Sequence, residues 1–496
     1  MSLIQVTDLT FAYPGSFDNV FEHATFQLDT DWKLGFVGRN GRGKTTFLRL
    51  LMGRLPCGGA IRASVPFDYF PFGVPDPSAS PEELLGAFCP EAQPWQLARE
   101  LGLLGMDPGR LYQPFCTLSQ GQQTKVLLGL LFLRQGHFLL IDEPTNHLDL
   151  EARQAVSRYL AGKRGFILVS HDRAFLDGCV DHVLAINKKS IQVQRGNYTT
   201  WQQNWQLRQQ FEQRQNDRLQ KQIGQLTAAA RRTSAWSDKV EAGKTGIDPV
   251  KRGAPRPDRG HIGHQAAKMM QRAKAIEGRR QAAVDEKRGL LQEVEETGRL
   301  KLTPLAHPKQ VLVRAAHLNA FYGQLQALHD LGFVLEQGQR LAVQGPNGCG
   351  KSTLFGLILG QSTARAEGLL EVAAGLTISW LPQATGQLAG PLGRFEAQQG
   401  LDPTLFRAVL RKLGFERAQF EKDMASYSEG QKKKAALAAS LCRPAHLYVW
   451  DEPLNYIDLP ARGQVEELLL AFRPTLLFVE HDAVFTEKVA THVLRL

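Results

Sequence analysis

Chemistry-bearing residues recur along this chain in the same order at a nearly constant distance. Tyr13 and Tyr322 are 309 residues apart, Lys44 and Lys351 307, Ser119 and Ser428 309, Asp142 and Asp451 309, and His171 and His481 310. Ordered matches at one offset do not arise by chance, so the chain is an internal duplication of a unit of roughly 200 residues, a period too long for a solenoid. Each copy must bury its own core, and the strip between the copies must be a different kind of structure. The expected division is 1–198, 199–303 and 304–496.

The recurring residues lie in patterns that handle phosphate. Residues 38–45 read GRNGRGKT and residues 345–352 GPNGCGKS, each behind an apolar run and ahead of a helix-forming stretch, which is the P-loop pattern. Its glycines, Gly38, Gly41 and Gly43 in one copy and Gly345, Gly348 and Gly350 in the other, let backbone N–H groups wrap phosphates. Asn40, Thr46, Asn347 and Thr353 complete the two loops. Lys44 and Lys351 are expected to reach the terminal phosphates, with Thr45 and Ser352 ligating Mg2+. Later in each copy an apolar run ends in paired carboxylates, Asp142–Glu143 and Asp451–Glu452. Buried charge of that kind costs several kcal/mol unless it has a task. Asp142 and Asp451 suit metal, and Glu143 and Glu452 suit deprotonation of a water that attacks the γ-phosphate. His171 and His481, each after a further apolar strand, are placed to contact that phosphate.

The strip between the copies carries the charge. Of a net +10, residues 231–280 hold 13 Lys plus Arg against 5 Asp plus Glu, a concentration that points to a polyanionic partner. From Thr199 to about Trp236 the chain has no proline and is rich in Gln, Arg, Leu and Ala, which favours a helix of about 55 Å. Met269, Ile276, Ala283 and Leu290 then recur every seven residues, the spacing of a returning coiled-coil partner. Between them, residues 237–263 are rich in Gly, Pro and basic residues and are expected to form a loop. Lys239, Lys244, Lys251, Arg252, Arg256, Arg259 and Lys268 suit RNA phosphate contacts, and Lys244 and Ile247 are expected at the apex. No run of eighteen apolar residues exists, the start MSLIQVTDLTF lacks a secretion pattern, and the six cysteines form no close pair. These features argue against membrane spans, zinc ribbons and disulfide frameworks, and a cytoplasmic setting is expected.

The order of aromatic residue, P-loop, LSQGQ or YSEGQ signature, Asp–Glu pair and histidine resembles the ATP-binding cassette over nearly the full length of both halves. The resemblance implies an α/β fold of tandem P-loop cassettes joined by a long two-helix α-hairpin, binding two ATP molecules and Mg2+ head to tail within one monomer. Lys44 would then face Ser428, Gly430 and Gln431, and Lys351 would face Ser119, Gly121 and Gln122. Tyr13 and Tyr322 would stack on adenine, and Asp149 and Asp458 would lie at the seam. Gln383 is the glutamine expected near the magnesium of the second half. The first half puts Phe72 there, so unequal hydrolysis at the two sites is expected.

Tandem cassettes serve either as motors for separate transmembrane partners or as ATPases bound to nucleic acid or the ribosome. About 100 residues between cassettes favour the second role, with no membrane partner. EPTNHLD, SHDRAFLD, RGNY, YSEGQKKK, WDEPLNYID, FVEHD and RPDRGHIGHQAAKMM resemble the ABC-F translation factors, and among them the Lsa, Vga and OptrA group of antibiotic resistance proteins. That resemblance implies binding in the ribosomal exit-site region, contact with large-subunit rRNA and P-site tRNA, and release of lincosamides, streptogramin A compounds and pleuromutilins. A housekeeping ABC-F factor acting on stalled ribosomes remains the alternative.

Overall fold

The computed structural model describes residues 2–14, 19–146, 148–186, 191–242, 278, 300–346, 348–415 and 417–496, with backbone alone for 226–242 and 418. Asn347, Lys244, Ile247, Lys251, Arg252, Arg256, Arg259, Lys268 and the returning heptads lie outside the described residues, as does the side chain of Lys239.

Two compact units divide the chain: Met1–Trp201 with Thr297–Leu496, and Gln202–Glu296. The first unit contains both copies, built alike. In the first copy, Lys33–Val37, Phe67–Phe70, Phe138–Asp142, Phe166–Val169 and His182–Ile186 form a parallel sheet, closed at one edge by antiparallel Ile191–Arg195. The strand order along that sheet is Phe67, Phe138, Phe166, Lys33, His182, Ile191 by first residue. These strands read as nearly unbroken apolar runs because both faces are covered, one by helices and the other by the helix Lys44–Leu51 with an antiparallel sheet. A separate antiparallel sheet joins Leu3–Phe11 to Phe21–Asp29 and Gly58–Ala63.

The second copy repeats this with Ile378–Leu381, Leu447–Asp451, Leu476–Val479, Arg340–Gln344 and His492–Arg495, all parallel. Even the register is kept, since Asp142 pairs with Val169 and Asp451 with Val479. Both acidic pairs therefore emerge at the carboxyl ends of central strands, where open α/β sheets bind ligands. Phe36, Phe47, Phe138 and Phe166 are fully buried in the first copy, and Trp450, Tyr448, Phe355 and Phe478 in the second. Each such side chain contributes roughly 1.5–3 kcal/mol through burial. Leu459 of the second copy is counted in the core of the first, so the copies share apolar contact.

The strip between the copies begins as one helix, Tyr198–Ala242, of 45 residues, about 68 Å at the α-helical rise. Tyr198 is buried in the first copy's core and Trp201 packs against it. The expected loop start at 237 is too early. Ser237 to Ala242 contains neither glycine nor proline, so nothing local breaks the helix before Gly243.

Candidate functional site

Each P-loop links a central strand to a helix, Lys44–Leu51 or Lys351–Ile358. Gly43 and Gly350 cap these helices at φ 92° and 95°. A Cβ at Gly350 would lie 2.3 Å from the Ala327 carbonyl, so sterics alone exclude any other residue there. Lys44 Nζ donates to the carbonyl of Gly38 (2.7 Å) and to Asn40 Oδ1 (3.3 Å). Lys351 Nζ likewise donates to the carbonyls of Gly345 (2.8 Å) and Pro346 (2.9 Å). Burial pushes the Lys44 ammonium below its ordinary pKa, with Asp458, Glu143 and Asp142 opposing the shift.

Thr45 Oγ1 donates to Asp142 Oδ2 at 3.0 Å, and Ser352 Oγ stands 3.5 Å from Asp451 Oδ2. Glu143 and Glu452 follow with φ of 52° and 48°, a left-handed backbone that disfavours glutamate and that clusters at functional sites. His171 Nε2 lies 3.2 Å from Glu143 Oε1, and His481 Nε2 lies 3.5 Å from Glu452 Oε1. Arg153–Asp172 and Arg462–Asp482, both at 3.0 Å, brace the turns that carry these histidines.

Ser119 and Ser428 begin the helices Gln120–Leu133 and Glu429–Cys442. Each serine accepts the backbone N–H of Gln122 or Gln431, whose side-chain oxygen accepts the serine N–H in return. The signature thereby fixes its own helix start as a reciprocal capping box.

The copies meet through these same loops. Asn40 Nδ2 donates to the Tyr456 carbonyl at 2.7 Å, and Asn40 N to Asp458 Oδ2 at 3.2 Å. A Cβ on Gly430 would lie 2.6 Å from the Tyr456 carbonyl and 3.0 Å from Asn40 Nδ2. The first P-loop is therefore in contact with the signature and seam of the second copy; this is the first site. On the other side a cavity of about 1380 Å³ opens between the copies, the second site. Ser119, Gly121, Gln122 and Asp149 line it from the first copy. Tyr322, Gly348, Lys351, Thr353, Gln383, Asp451, Glu452 and His481 line it from the second. Tyr13 and Tyr322 leave their rings exposed, while their hydroxyls reach Thr46 Oγ1 (2.7 Å) and Ser362 Oγ (3.4 Å).

The catalytic-type glutamates differ sharply. Burial, with Asp142 adjacent, raises Glu143 to about 8, and its buried Oε1 has no hydrogen-bond partner. Burial also acts on Glu452, but hydrogen bonds from His481 and Gln383 outweigh it and hold the carboxyl at about 2. Asn455 donates to it as well. Burial drives His171 well below the usual imidazole value, with Lys44 and Arg462 adding to the effect.

Sequence reasoning missed several of these partners. Tyr69 donates to Asp142 Oδ2 at 3.0 Å, in the half where Phe72 packs on Phe88 instead of offering an amide. Arg173 NH1 pairs with Glu466 Oε1 across the copies at 2.8 Å, both side chains buried. Tyr69 reads in sequence as a packed strand residue, and Arg173–Glu466 and Asn40–Tyr456 join residues hundreds apart, so none of these left a local signal.

Two P-loop units facing each other through signature helices define a tandem ATP-binding cassette protein. A family model described as ABC transporter matches residues 21–146 and 328–455, half of the chain. The chain belongs to the ABC transporter family that this model describes. It is 28% identical to the "Ribosome protection protein VmlR" of Bacillus subtilis, over 99% of this chain and 86% of that one. It is 28% identical to the "Energy-dependent translational throttle protein EttA" of Mycobacterium tuberculosis, over 77% of this chain and 64% of that one. The fold is shared with the archaeal ribosome recycling factor aABCE1, in a crystal structure with the stalk protein aP1. There the TM-score is 0.62 at 19% identity, covering 98% of this chain and 87% of that one.

Proposed function

We propose that this protein is a ribosome-bound ABC-F ATPase that works as a monomer in the cytoplasm, with its cassettes pairing over two ATP molecules. The likeness to VmlR along 99% of the chain carries this reading, and the 45-residue helix between the cassettes supports it. Its finer content is resistance of the Lsa, Vga and OptrA kind. The protein enters the exit-site region, and the basic strip meets rRNA and P-site tRNA near the peptidyl transferase centre. Lincosamides, streptogramin A compounds and pleuromutilins are displaced as a result.

The residues fit nucleotide and metal. Among the described residues no cluster of His, Cys, Asp and Glu could hold a metal alone, and Mg2+ is commonly held by one or two carboxylates together with substrate phosphates. Thr45 with Asp142, and Ser352 with Asp451 and Gln383, would hold it so, and the ion would neutralise phosphate charge. Lys44 and Lys351 trade their loop carbonyls for phosphate oxygens. The Glu452 carboxylate faces the place of an attacking water and takes its proton, and Glu143, with its unpartnered Oε1, does so at the first site once it has ionised. Signature serines from the opposite cassette complete each site, so turnover requires closure.

Changing Glu143 and Glu452 to Gln should preserve ATP binding and trap the protein on ribosomes. Failure of that variant to co-sediment with ribosomes in ATP overturns the ribosome reading. Expression in a sensitive host across a panel of ribosomal antibiotics separates resistance from general translation control, the role that the likeness to EttA favours. Deleting residues 242–248 should abolish drug protection and spare basal ATPase activity.

A further inference from the structure

Lys432, Lys433 and Lys434 form a run of three lysines on the helix Glu429–Cys442. Such a run ordinarily marks a solvated face, yet here all three are buried, Lys433 to 1% exposure. Each ammonium has a specific destination. Lys432 Nζ donates to the Gly386 carbonyl at 2.9 Å. Lys433 Nζ donates to the carbonyls of Pro382 (2.8 Å), Gln383 (3.1 Å) and Asp451 (3.1 Å). An ammonium has three donors, and all three are spent on the second site's glutamine loop and the end of its acidic strand.

Lys434 Nζ points the other way and donates to Asp458 Oδ2 at 2.5 Å. The same oxygen accepts the backbone N–H of Asn40 in the first P-loop. Two adjacent side chains on one helix turn therefore reach the two sites separately. The opposite helix has no such pair. Thr124 stands where the duplication places Lys433, and Phe72 stands where it places Gln383, so lysine and glutamine are missing together. Lys125, matching Lys434, donates only to the Gly105 carbonyl at 3.4 Å.

We propose that Lys433 is a positioning residue that sets Gln383 and Asp451 from the signature helix serving the first site, and with Lys434 makes this helix a one-sided coupling between the two sites. The proposal rests on the reading of both sites as ATP sites. A buried, fully bonded ammonium transmits displacement because shifting the helix would strip its donors of acceptors. Closure of the first site on the signature at Ser428 thereby orients the glutamine loop of the second.

The experiment uses the full chain with Glu143→Gln, so that turnover reports the second site. Lys433→Met should lower kcat roughly tenfold with KM within about twofold, the pattern of lost transition-state organisation. In a Gln383→Ala background the same change should lower kcat by less than about fivefold, because one of the two groups being positioned is gone. Fluorescent-nucleotide titration supplies a second readout. Disabling the second site with Lys351→Ala should alter first-site affinity in the parent but not in Lys433→Met. Additive kcat losses, or coupling unchanged by Lys433→Met, overturn the proposal. A parent protein that neither binds nor hydrolyses ATP overturns the site reading instead. Should Lys433→Met not fold, Lys433→Gln, which keeps two N–H donors, serves in every comparison.

Discussion

The two ATP-type sites share one motif set and differ in what surrounds it. At the first, the P-loop is pressed onto Tyr456 and Asp458, Lys44 is buried, and half-buried Glu143 has an Oε1 that lacks a hydrogen bond. At the second, a cavity of about 1380 Å³ stands open and Glu452 is held ionised by His481 and Gln383. Duplication copied the reactive residues, and divergence acted on their neighbours. A carboxylate's readiness as a base is therefore a property of its partners, which motif identity does not report.

The comparison can be broken by experiment. The largest effect is expected from Glu452→Gln, which should remove most turnover, by roughly 10²–10⁴-fold in the site affected. Glu143→Gln should remove the smaller remainder. Steady-state ATPase rates decide, and equal losses from the two single changes would refute the asymmetry.

Next in size is the seam. Arg173–Glu466 has no counterpart across the pseudo-twofold, where Ala483 and Ser157 occupy the matching positions. Arg173→Ala should cost about 3 kcal/mol, the low end for breaking a buried pair, since Lys488 stays 3.5 Å from Glu466. Chemical denaturation measures this, and Ala483→Arg should give no comparable gain.

A smaller change is expected from Tyr69→Phe, which removes one of the hydrogen bonds that oppose the upward push of burial on Asp142. A hydrogen bond to a charged group is worth about 1.5–3 kcal/mol. Half-buried, this one should weaken Mn2+ binding at the first site by roughly fivefold, read by electron paramagnetic resonance in a Lys351→Ala background with ATP. The finest test is spectroscopic. In the nucleotide-free protein, burial pushes Glu143 up to about 8, so it should carry its proton at neutral pH and lose it as pH rises through that value. The protonated-carboxyl infrared intensity that Glu143 loses over that range should be absent in Glu143→Gln, and Glu452, held at about 2, contributes none.

Much of this was legible in the sequence because it is local. Glycines at left-handed positions, a serine and glutamine three apart, and an apolar run ending in Asp–Glu each declare a P-loop, a capped helix and a strand end. The helix from Tyr198 was legible from its lack of proline, though its end was set too early at Trp236. Pairing of the halves was readable only through family likeness. Its actual contacts, Asn40 on Tyr456 and Arg173 on Glu466, depend on how two finished surfaces dock, which no periodicity encodes. The pull of Tyr69 on Asp142 was hidden for a different reason: a tyrosine in a half-buried strand usually packs, and only the position of its hydroxyl shows otherwise.

The left-handed backbone at Glu143 and Glu452 sets folding against use. Glycine would relieve about 1 kcal/mol of strain at either position, so the shortest route to a sturdier protein passes through the loss of the two proposed bases. A selection for thermal endurance without a demand for turnover should collect substitutions at these two codons early. Heat-resistant, inactive variants with Gly or Asn at 143 or 452 would mark how much stability the chain forgoes to remain an engine.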